Sequence, residues 1–428
     1  MKTHLFNTRN KVVPNQFISS NLFRGVFLML LIGVVSTSTV HGQLIDRGPL
    51  KPSTNTAHGN DAIKWLTMEE AYKASKIIDK PLFIDVYTSW CGWCVRMDKT
   101  TFRDPIVASY INANFHPVKF NAETNDSIHF LERTYNNSQS IYVKKMLAQS
   151  DSTIKVISDS LKLLGSNEKY RSKVSLLSQR LQQETASKSQ LAKQARRTTH
   201  DLAIEIMNRK LSYPTFVLLF DSLKNNFPIK GYQKPNQLLS VLSFFGEKVY
   251  TKTNDLGGYQ KLFYSSFSSQ GQPVRKFGDF NTTIKKAEVS KKKTLFLVTN
   301  DQLYSSQVFE KGSFNDPSVV AYLSEHFEVG KMNLYESDSL TFNGQVFKNV
   351  NGVHQLPISM MQNQVTFPSM IFLDENQKLI MSIPEFFLPS ELLPILHFIE
   401  LEKYKTGDYA TFRKEYQRNL INAGKAGQ

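Results

Sequence analysis

The second half of this sequence repeats the first. With a shift of 212 residues, segment 99–127 aligns with segment 311–339 without a gap, and 11 of the 29 positions are identical. Further along the chain the shift falls to 154 residues and pairs His200 with His354, Pro214 with Pro368, Pro235 with Pro389, and Tyr250 with Tyr404. Self-similarity of this extent predicts two tandem domains of one fold, and 428 residues are enough for two packed cores.

The change of shift places an insertion of 58 residues in the first copy, within 138–198. This segment has no proline and one glycine, and its apolar residues recur at helical spacing: Tyr170, Val174, Leu177 and Leu181. It holds twelve Lys or Arg residues against four acids. We expect a basic helical hairpin, either simply solvated or in contact with an acidic client protein or an anionic envelope surface. Nucleic-acid binding is not expected, because no basic surface interleaved with aromatic residues occurs.

Residues 1–42 have the pattern of a secretion signal. Four basic residues and no acids accompany an apolar run at 26–35, too short for the roughly 20 residues that span a bilayer. Small residues precede an expected cleavage after Gly42. We therefore expect export, with the periplasm of a Gram-negative bacterium as the destination and a linker at 43–60. The alternatives are an uncleaved anchor or a buried helix.

The chain has only two cysteines, Cys91 and Cys94. A bridge between them closes almost no loop and would add little stability, which favours redox exchange over a structural staple. A zinc site would need two further ligands, and the histidines show no metal-binding spacing, so no metal is predicted. Residues 82–87 read as a buried strand, and a helix should follow the cysteines. This arrangement predicts Cys91 as an exposed nucleophile at a helix N-terminus and Cys94 as the shielded resolving partner.

These residues resemble the thioredoxin superfamily, especially secreted thioredoxin-like proteins with the active site Trp90-Cys91-Gly92-Trp93-Cys94. Trp93 stands where thioredoxin itself has proline. Three further features match: Asp85, six residues before Cys91; Lys119, in a following strand; and Tyr213-Pro214, at the start of a third strand, where the family has a cis-proline.

The resemblance implies roles for each of these residues. Catalysis would fall to Cys91, Cys94 and Asp85, with Cys91–Cys94 as the redox-active disulfide and Lys119 supporting Asp85. Substrate contact would fall to Trp90, Gly92, Trp93, Tyr213 and Pro214. No cofactor is implied. The simpler alternatives are solvated positions for Asp85 and Lys119, and tryptophans that only cover the site.

The predicted architecture is therefore α/β, with two tandem thioredoxin-like domains in which helices flank a mixed central sheet. The first, 61–272, has the active Cys-x-x-Cys and the basic helical insertion at 138–198. The second, 273–420, is degenerate, because Leu303 and Ser306 stand at the cysteine positions; a tail, 421–428, follows.

The expected activity is thiol–disulfide exchange on protein substrates, reductase-like or isomerase-like, with a separate redox partner to restore the cysteines. The alternative is an envelope protein-binding or assembly factor with a vestigial redox site, and delivery of a metal is a third possibility.

Overall fold

The structure is a computed structural model, and it describes residues 62–268, 276–336, 338–362 and 365–426. The predicted signal at 1–42 and linker at 43–60 lie outside the described residues. The described chain divides into two compact units, 62–235 and 236–426. This division is based on the contacts within each unit. In the sequence repeat, however, Pro235 corresponds to Pro389, which lies inside the second predicted domain and not at its end. The predicted domain boundary at 272/273 therefore stays a prediction.

The first unit alternates helices and strands. Its elements are α1 Met68–Ile77, β1 Leu82–Tyr87, α2 Gly92–Lys99, a 3-10 turn Thr101–Arg103, α3 Pro105–Asn114, β2 His116–Asn121, β3 Ile128–Phe130, β4 Arg133–Tyr135, α4 Ser138–Leu164, a 3-10 turn Glu168–Tyr170, α5 Arg171–Ala195, α6 Asp201–Ile206, β5 Thr215–Phe220 and β6 Asn225–Lys230.

The central sheet of this unit has the order β2-β1-β5-β6. Strands β1 and β2 are parallel, β5 runs antiparallel to β1, and β6 pairs with β5. In this register Asp85 lies opposite Lys119 on one side and Phe216 on the other. Because β1 and β2 are parallel, their carboxyl ends share one edge of the sheet with the start of β5.

Strand β1 is buried on both faces, which explains its nearly continuous apolar run. On one face, Ile84 and Val86 belong to a cluster that includes residues of α6. On the other, Phe83 stacks on Phe216 with ring centroids 5.7 Å apart. Side chains alternate along a strand, so Asp85 shares the Phe83 face, and a carboxyl group there lies within the core.

The insertion forms a helical hairpin in which α4 packs against α5. Val143 and Ile157 of α4 are buried, whereas α5 has no buried residue. Val174 and Leu177, which showed the helical spacing, are half-buried along α5. The hairpin therefore has a thin apolar seam and extensive polar faces.

The second unit contains α7 Pro235–Gly246, a 3-10 turn Val249–Thr251, α8 Leu256–Ser266, α9 Phe280–Ser290, β7 Lys293–Thr299, α10 Tyr304–Lys311, a 3-10 turn Ser313–Asn315, α11 Pro317–His326, β8 Phe327–Asn333, β9 Leu340–Phe342, β10 Gln345–Phe347, β11 Asn349–Val350, β12 Val353–His354, α12 Gln355–Met360, β13 Ser369–Leu373, β14 Leu379–Ile383, α13 Pro389–Glu400, a 3-10 turn Lys403–Lys405 and α14 Tyr409–Ala426. The predicted tail at 421–428 thus continues a helix as far as Ala426.

The sheet of the second unit, β14-β13-β7-β8, repeats the strand order of the first. Strands β7 and β8 are parallel, and β13 runs antiparallel to β7. The chain is thus mixed α/β, with parallel and antiparallel pairs in both four-stranded sheets. No described helix is both long and apolar enough to cross a membrane.

Local capping devices recur between the units and explain why their sequences repeat. Asp104 caps α3 by accepting hydrogen bonds from two backbone N–H groups, and Asp316 caps α11 in the same way. His200 and His354 each cap a short helix through Nδ1, and the other ring nitrogen contacts the backbone oxygen of an aspartate. Repeated residues therefore perform the same structural work in both units.

Candidate active site

Cys91 and Cys94 form a disulfide at the start of α2, with Cα atoms 5.3 Å apart. Cys91 is the N-cap residue, and its Sγ accepts a hydrogen bond from the Cys94 backbone N–H at 3.1 Å. The predicted exposure of Cys91 is wrong for this oxidised state, because Cys91 is only 4% exposed and Cys94 3%. The backbone N–H of Cys91 donates to the Thr88 carbonyl oxygen, and the sulfur of Cys91 is bonded to Cys94. Both the N–H group and the sulfur of Cys91 are therefore held within the turn.

The approach to the disulfide is open beside Gly92 and lined by aromatic rings. A Cβ atom built on Gly92 would have no neighbour within 4 Å. Trp90 and Trp93 are 58% and 54% exposed. The Trp90 ring meets Tyr213 edge-on at 5.6 Å, and Trp93 lies at 5.6 Å from Tyr232, a residue that sequence reasoning missed.

Tyr213 and Pro214 lie at the same edge of the sheet as the cysteine turn. The peptide bond between them is cis. Pro214 directly precedes β5, whose first residue, Thr215, pairs with Val86 near the carboxyl end of β1. The structure therefore brings these two predicted site residues together with Trp90.

Asp85 and Lys119 form an ion pair beneath α2. The Lys119 Nζ lies 2.6 Å from Asp85 Oδ2 and also contacts the carboxylate of Asp98. Sequence reasoning missed Asp98, although its spacing gave a signal: it lies four residues after Cys94 and so on the same face of α2. The solvated alternatives are wrong for Asp85, which is 1% exposed, and for Lys119, which is only partly exposed.

The ammonium group of Lys119 is also surrounded by aromatic rings. Its Nζ lies 5.1 to 5.5 Å from three ring centroids, those of Trp65, Tyr87 and Phe102. Cation–π contacts add to the attraction of the two carboxylates. The cage holds a positive charge beside a buried acid.

Burial, with a smaller contribution from the repulsion of Asp98, raises the pKa of Asp85 to about 6 against the opposing attraction of Lys119. Burial alone would lower the pKa of Lys119, but its ion pairs outweigh that and the pKa is raised. Asp85 Oδ1 has no hydrogen-bond partner in the described part of the chain. This carboxyl group can therefore take up and release a proton near neutral pH.

Glu123, which sequence reasoning also missed, holds the turn before Cys91. Its carboxylate accepts hydrogen bonds from the Ser89 backbone N–H and hydroxyl, both at 2.7 Å, and from the Trp90 indole N–H at 2.9 Å. Glu123 follows β2, so its side chain reaches the turn from the neighbouring strand end. Glu123 thereby fixes the orientation of the Trp90 ring and the conformation of the two residues that precede Cys91.

We expect Glu123→Gln to lower the rate of thiol–disulfide exchange about tenfold. The neutral amide replaces a carboxylate that accepts three charge-assisted hydrogen bonds. Each such bond contributes about 1.5–3 kcal/mol when fully buried and less in this half-exposed turn. Stopped-flow rates with a disulfide peptide measure the effect. Glu168→Gln, at an exposed Glu on the hairpin, is the matched control and should leave the rate unchanged. Equal rates in the two variants would contradict the positioning role.

The base of the hairpin adjoins this same turn. The Asn137 amide donates to the Thr124 carbonyl oxygen and to the Thr198 hydroxyl, and the His200 N–H donates to the Ala122 carbonyl oxygen. Residues 122–124 include Glu123, which contacts Trp90. The insertion thus begins and ends beside the sheet edge that bears the cysteines.

In the second unit, a glutamate of the same unit occupies the position that corresponds to the cysteine turn of the first. Leu303 and Ser306 replace the cysteines, and Leu297 replaces Asp85. The carboxylate of Glu247 accepts hydrogen bonds from the Tyr304 and Ser305 backbone N–H groups, at 3.1 and 2.7 Å. The anion site at the N-terminus of α10 is therefore occupied by an internal carboxylate. With Leu303 and Ser306 at the cysteine positions, no thiol is present there, and the first two N–H groups of α10 are bonded to Glu247.

We expect Glu247→Gln to expose the first amides of α10. Loss of an N-terminal cap costs about 1 kcal/mol, which speeds local exchange by about fivefold. Hydrogen exchange of the peptide covering 300–311, followed by mass spectrometry, measures it. A peptide from α13 serves as the internal control, and unchanged exchange at α10 would show that Glu247 does not cap it.

Part of the chain is similar to known proteins. Residues 53–145 match the model of a family described as Thioredox_DsbH, a protein of unknown function, DUF255. A stretch of 88 residues is 34% identical to an uncharacterised protein of Caenorhabditis elegans; it covers 20% of this chain and 12% of that relative. The chain therefore matches only a small part of that longer protein.

Three solved structures are also similar to part of the chain. A thioredoxin-fold protein from Helicobacter pylori is 18% identical, with a TM-score of 0.26, over 31% of this chain and 87% of its own. A thioredoxin from Thermus thermophilus is 14% identical, with a TM-score of 0.23, over 30% and 88%. A disulphide isomerase from Xylella fastidiosa Temecula1 is 17% identical, with a TM-score of 0.20, over 35% and 99%.

The strand order and the family match define a thioredoxin-like fold. Across the described ranges, no group of three or more His, Cys, Asp or Glu residues is arranged to hold a metal ion.

Proposed function

We propose that this chain is a thiol–disulfide oxidoreductase built from two tandem thioredoxin-like domains, of which only the first is active. The observation that supports this most directly is the Cys91–Cys94 disulfide at the N-terminus of α2, the helix whose Asp98 shares Lys119 with a buried Asp85 of pKa about 6. The pair needs no metal or organic cofactor, because the two sulfurs themselves hold the electrons.

The first step is attack by the reduced Cys91. As a thiolate at the N-cap it accepts the Cys94 N–H and faces the positive end of α2, which together stabilise the charge by about 0.3–2 kcal/mol. Its sulfur bonds to one sulfur of the substrate disulfide, and the other leaves as a thiolate that takes a proton from water. A mixed disulfide between Cys91 and the substrate remains.

The second step is resolution by Cys94. Asp85 as a carboxylate takes the thiol proton, and the Cys94 thiolate attacks Cys91 Sγ and expels the second substrate thiolate. The substrate gains two electrons and the enzyme loses two, ending in the disulfide seen in the structure. A dithiol redox partner must then reduce Cys91–Cys94 for another turnover.

The substrates that fit this site are protein disulfides. Exposed Trp90 and Trp93, the open side of Gly92 and the Tyr213-Pro214 turn offer apolar contact and backbone contact to an extended chain. We place the activity in the periplasm, where the export signal predicted at 1–42 would deliver the chain and where protein disulfides persist. Reduction or isomerisation is the direction we favour.

An insulin-reduction assay with dithiothreitol as the electron source tests this function. We expect the full chain to accelerate insulin precipitation and Cys91→Ser to abolish the acceleration. Equal rates in both proteins, or none in either, would instead support an envelope binding or assembly factor with a vestigial redox site. Equilibration of Cys91–Cys94 with glutathione buffers, followed by tryptophan emission, then gives the reduction potential and hence the direction.

A further inference from the structure

A cleft of about 790 Å³ opens at the base of the hairpin, where α5 ends. Its rim has three basic residues, Lys193, Arg196 and Arg197, and one wall is formed by Tyr142 and Val143 of α4. The three basic residues and Tyr142 are exposed, whereas Val143 is buried. The cleft therefore combines concentrated positive charge with an apolar wall.

The positive charge of this cleft is not neutralised by the hairpin itself. Asp151, Asp159 and Glu168 pair with other basic residues of the insertion, Lys188, Lys162 and Arg171. No acid lines the cleft, and within the described residues none of its three cations forms an ion pair. Cations at a helix C-terminus do offset the helix dipole, but that role does not need a concave surface beside an exposed tyrosine.

The cleft is connected to the redox site through hydrogen bonds. Thr198 lines it and accepts a hydrogen bond from Asn137, whose amide also donates to the Thr124 carbonyl oxygen. The adjacent residue, Glu123, accepts the indole N–H of Trp90, which precedes Cys91. Three consecutive contacts thus connect the cleft with the turn that presents the nucleophile.

We infer that this cleft binds an acidic segment of the protein substrate, close to the disulfide that Cys91 attacks. The inference rests on the proposed function and adds substrate selection to it. Guanidinium groups bind carboxylates through two parallel hydrogen bonds, and Tyr142 offers a surface for a neighbouring apolar residue. A flat anionic membrane would instead meet the lysines along the whole hairpin and would not use the concave end in particular.

Two disulfide-bonded peptides test the inference. They share one sequence, except that one has three Asp residues on one side of its cystine and the other has Asn at those positions. With the full chain, we expect kcat/KM to be five- to tenfold higher for the acidic peptide, and the preference to fade at 0.5 M salt. Arg196→Gln/Arg197→Gln should remove the preference and leave the neutral peptide unaffected.

Lys169→Gln/Lys173→Gln, near the tip of the hairpin, is the matched control, because it removes the same charge and should keep the preference. If wild type and both variants reduce the two peptides equally, the cleft is not a recognition site, while the redox function stands.

A binding experiment separates failure of the cleft from failure of the proposed function. Fluorescence anisotropy measures affinity for the same peptides with the cystine replaced by a non-reducible thioether. If the acidic analogue bound through the cleft but neither disulfide peptide was reduced, the result would support the cleft and refute the proposed oxidoreductase function. Loss of phosphatidylglycerol-vesicle binding in the Arg196/Arg197 variant, with no preference between peptides, would overturn the inference in favour of a membrane contact.

Discussion

Replacing Cys94 with serine should convert the protein into a covalent trap. Cys91 can still attack a disulfide, but no second thiol remains to expel the substrate, so the mixed disulfide persists. We expect a one-to-one adduct with a disulfide peptide on a non-reducing gel, and turnover that falls to the uncatalysed rate. Intact-protein mass spectrometry gives the adduct mass and its fraction.

Cys91→Ser is the matched control for the trap. Cys94 lies inside the first turn of α2 and lacks the N-cap position that stabilises the Cys91 thiolate. We expect it to form at most a trace of adduct under the same conditions. If Cys91→Ser captured the peptide better than Cys94→Ser, the order of attack and resolution would be reversed.

The parts of the site that could be predicted from the sequence are those encoded locally or by the family pattern. The apolar run of β1 and the helix that follows place Cys91 at an N-cap, and strand alternation places Asp85 on a buried face. The helical spacing in the insertion likewise gave the hairpin. Each of these predictions depends on residues that lie close to each other in the sequence.

The parts that could not be predicted depend on contacts between distant segments. Glu123 meets the Trp90 indole across 33 residues, and Glu247 reaches Ser305 across 58. Nothing in the residues around either glutamate indicates its partner. The burial of Cys91 was missed for a different, local reason: the disulfide to Cys94 and the hydrogen bond to Thr88 hold its polar groups within the turn. Only Asp98, one turn after Cys94, had a usable local signal.

Replacing Asp85 with asparagine should slow the chemistry and stabilise the fold. The neutral amide cannot accept the Cys94 thiol proton, so resolution should slow by about a hundredfold, while the first attack by Cys91 changes little. Rapid quenching with a fluorescent disulfide peptide follows the mixed disulfide as it forms and decays. Slowing of both steps to the same extent would contradict a role confined to resolution.

The dependence on pH distinguishes this role from a merely structural one. Asp85 must be ionised to accept a proton, so the resolution rate of the wild type should rise as pH rises through about 6 and then level off. Asp85→Asn should lack this rise. Asp98→Asn is the control within the same cluster: without the repulsion from Asp98, the pKa of Asp85 falls and the rise should move to lower pH.

Stability should change in the opposite direction to activity. In the unfolded chain Asp85 ionises near pH 4, whereas in the fold its pKa is about 6, so the native state binds more protons between these values and loses stability as pH rises through them. Asp85→Asn removes this cost and should raise the free energy of unfolding by about 1–3 kcal/mol at pH 7.5, with little change at pH 4. Urea unfolding followed by tryptophan emission measures it in the first unit, because Trp65, Trp90 and Trp93 all belong to that unit. A variant less stable than wild type at pH 7.5 would mean that the Lys119 ion pair outweighs the burial of the carboxylate, and Asp85 would then be a stabilising residue and not a strained proton acceptor.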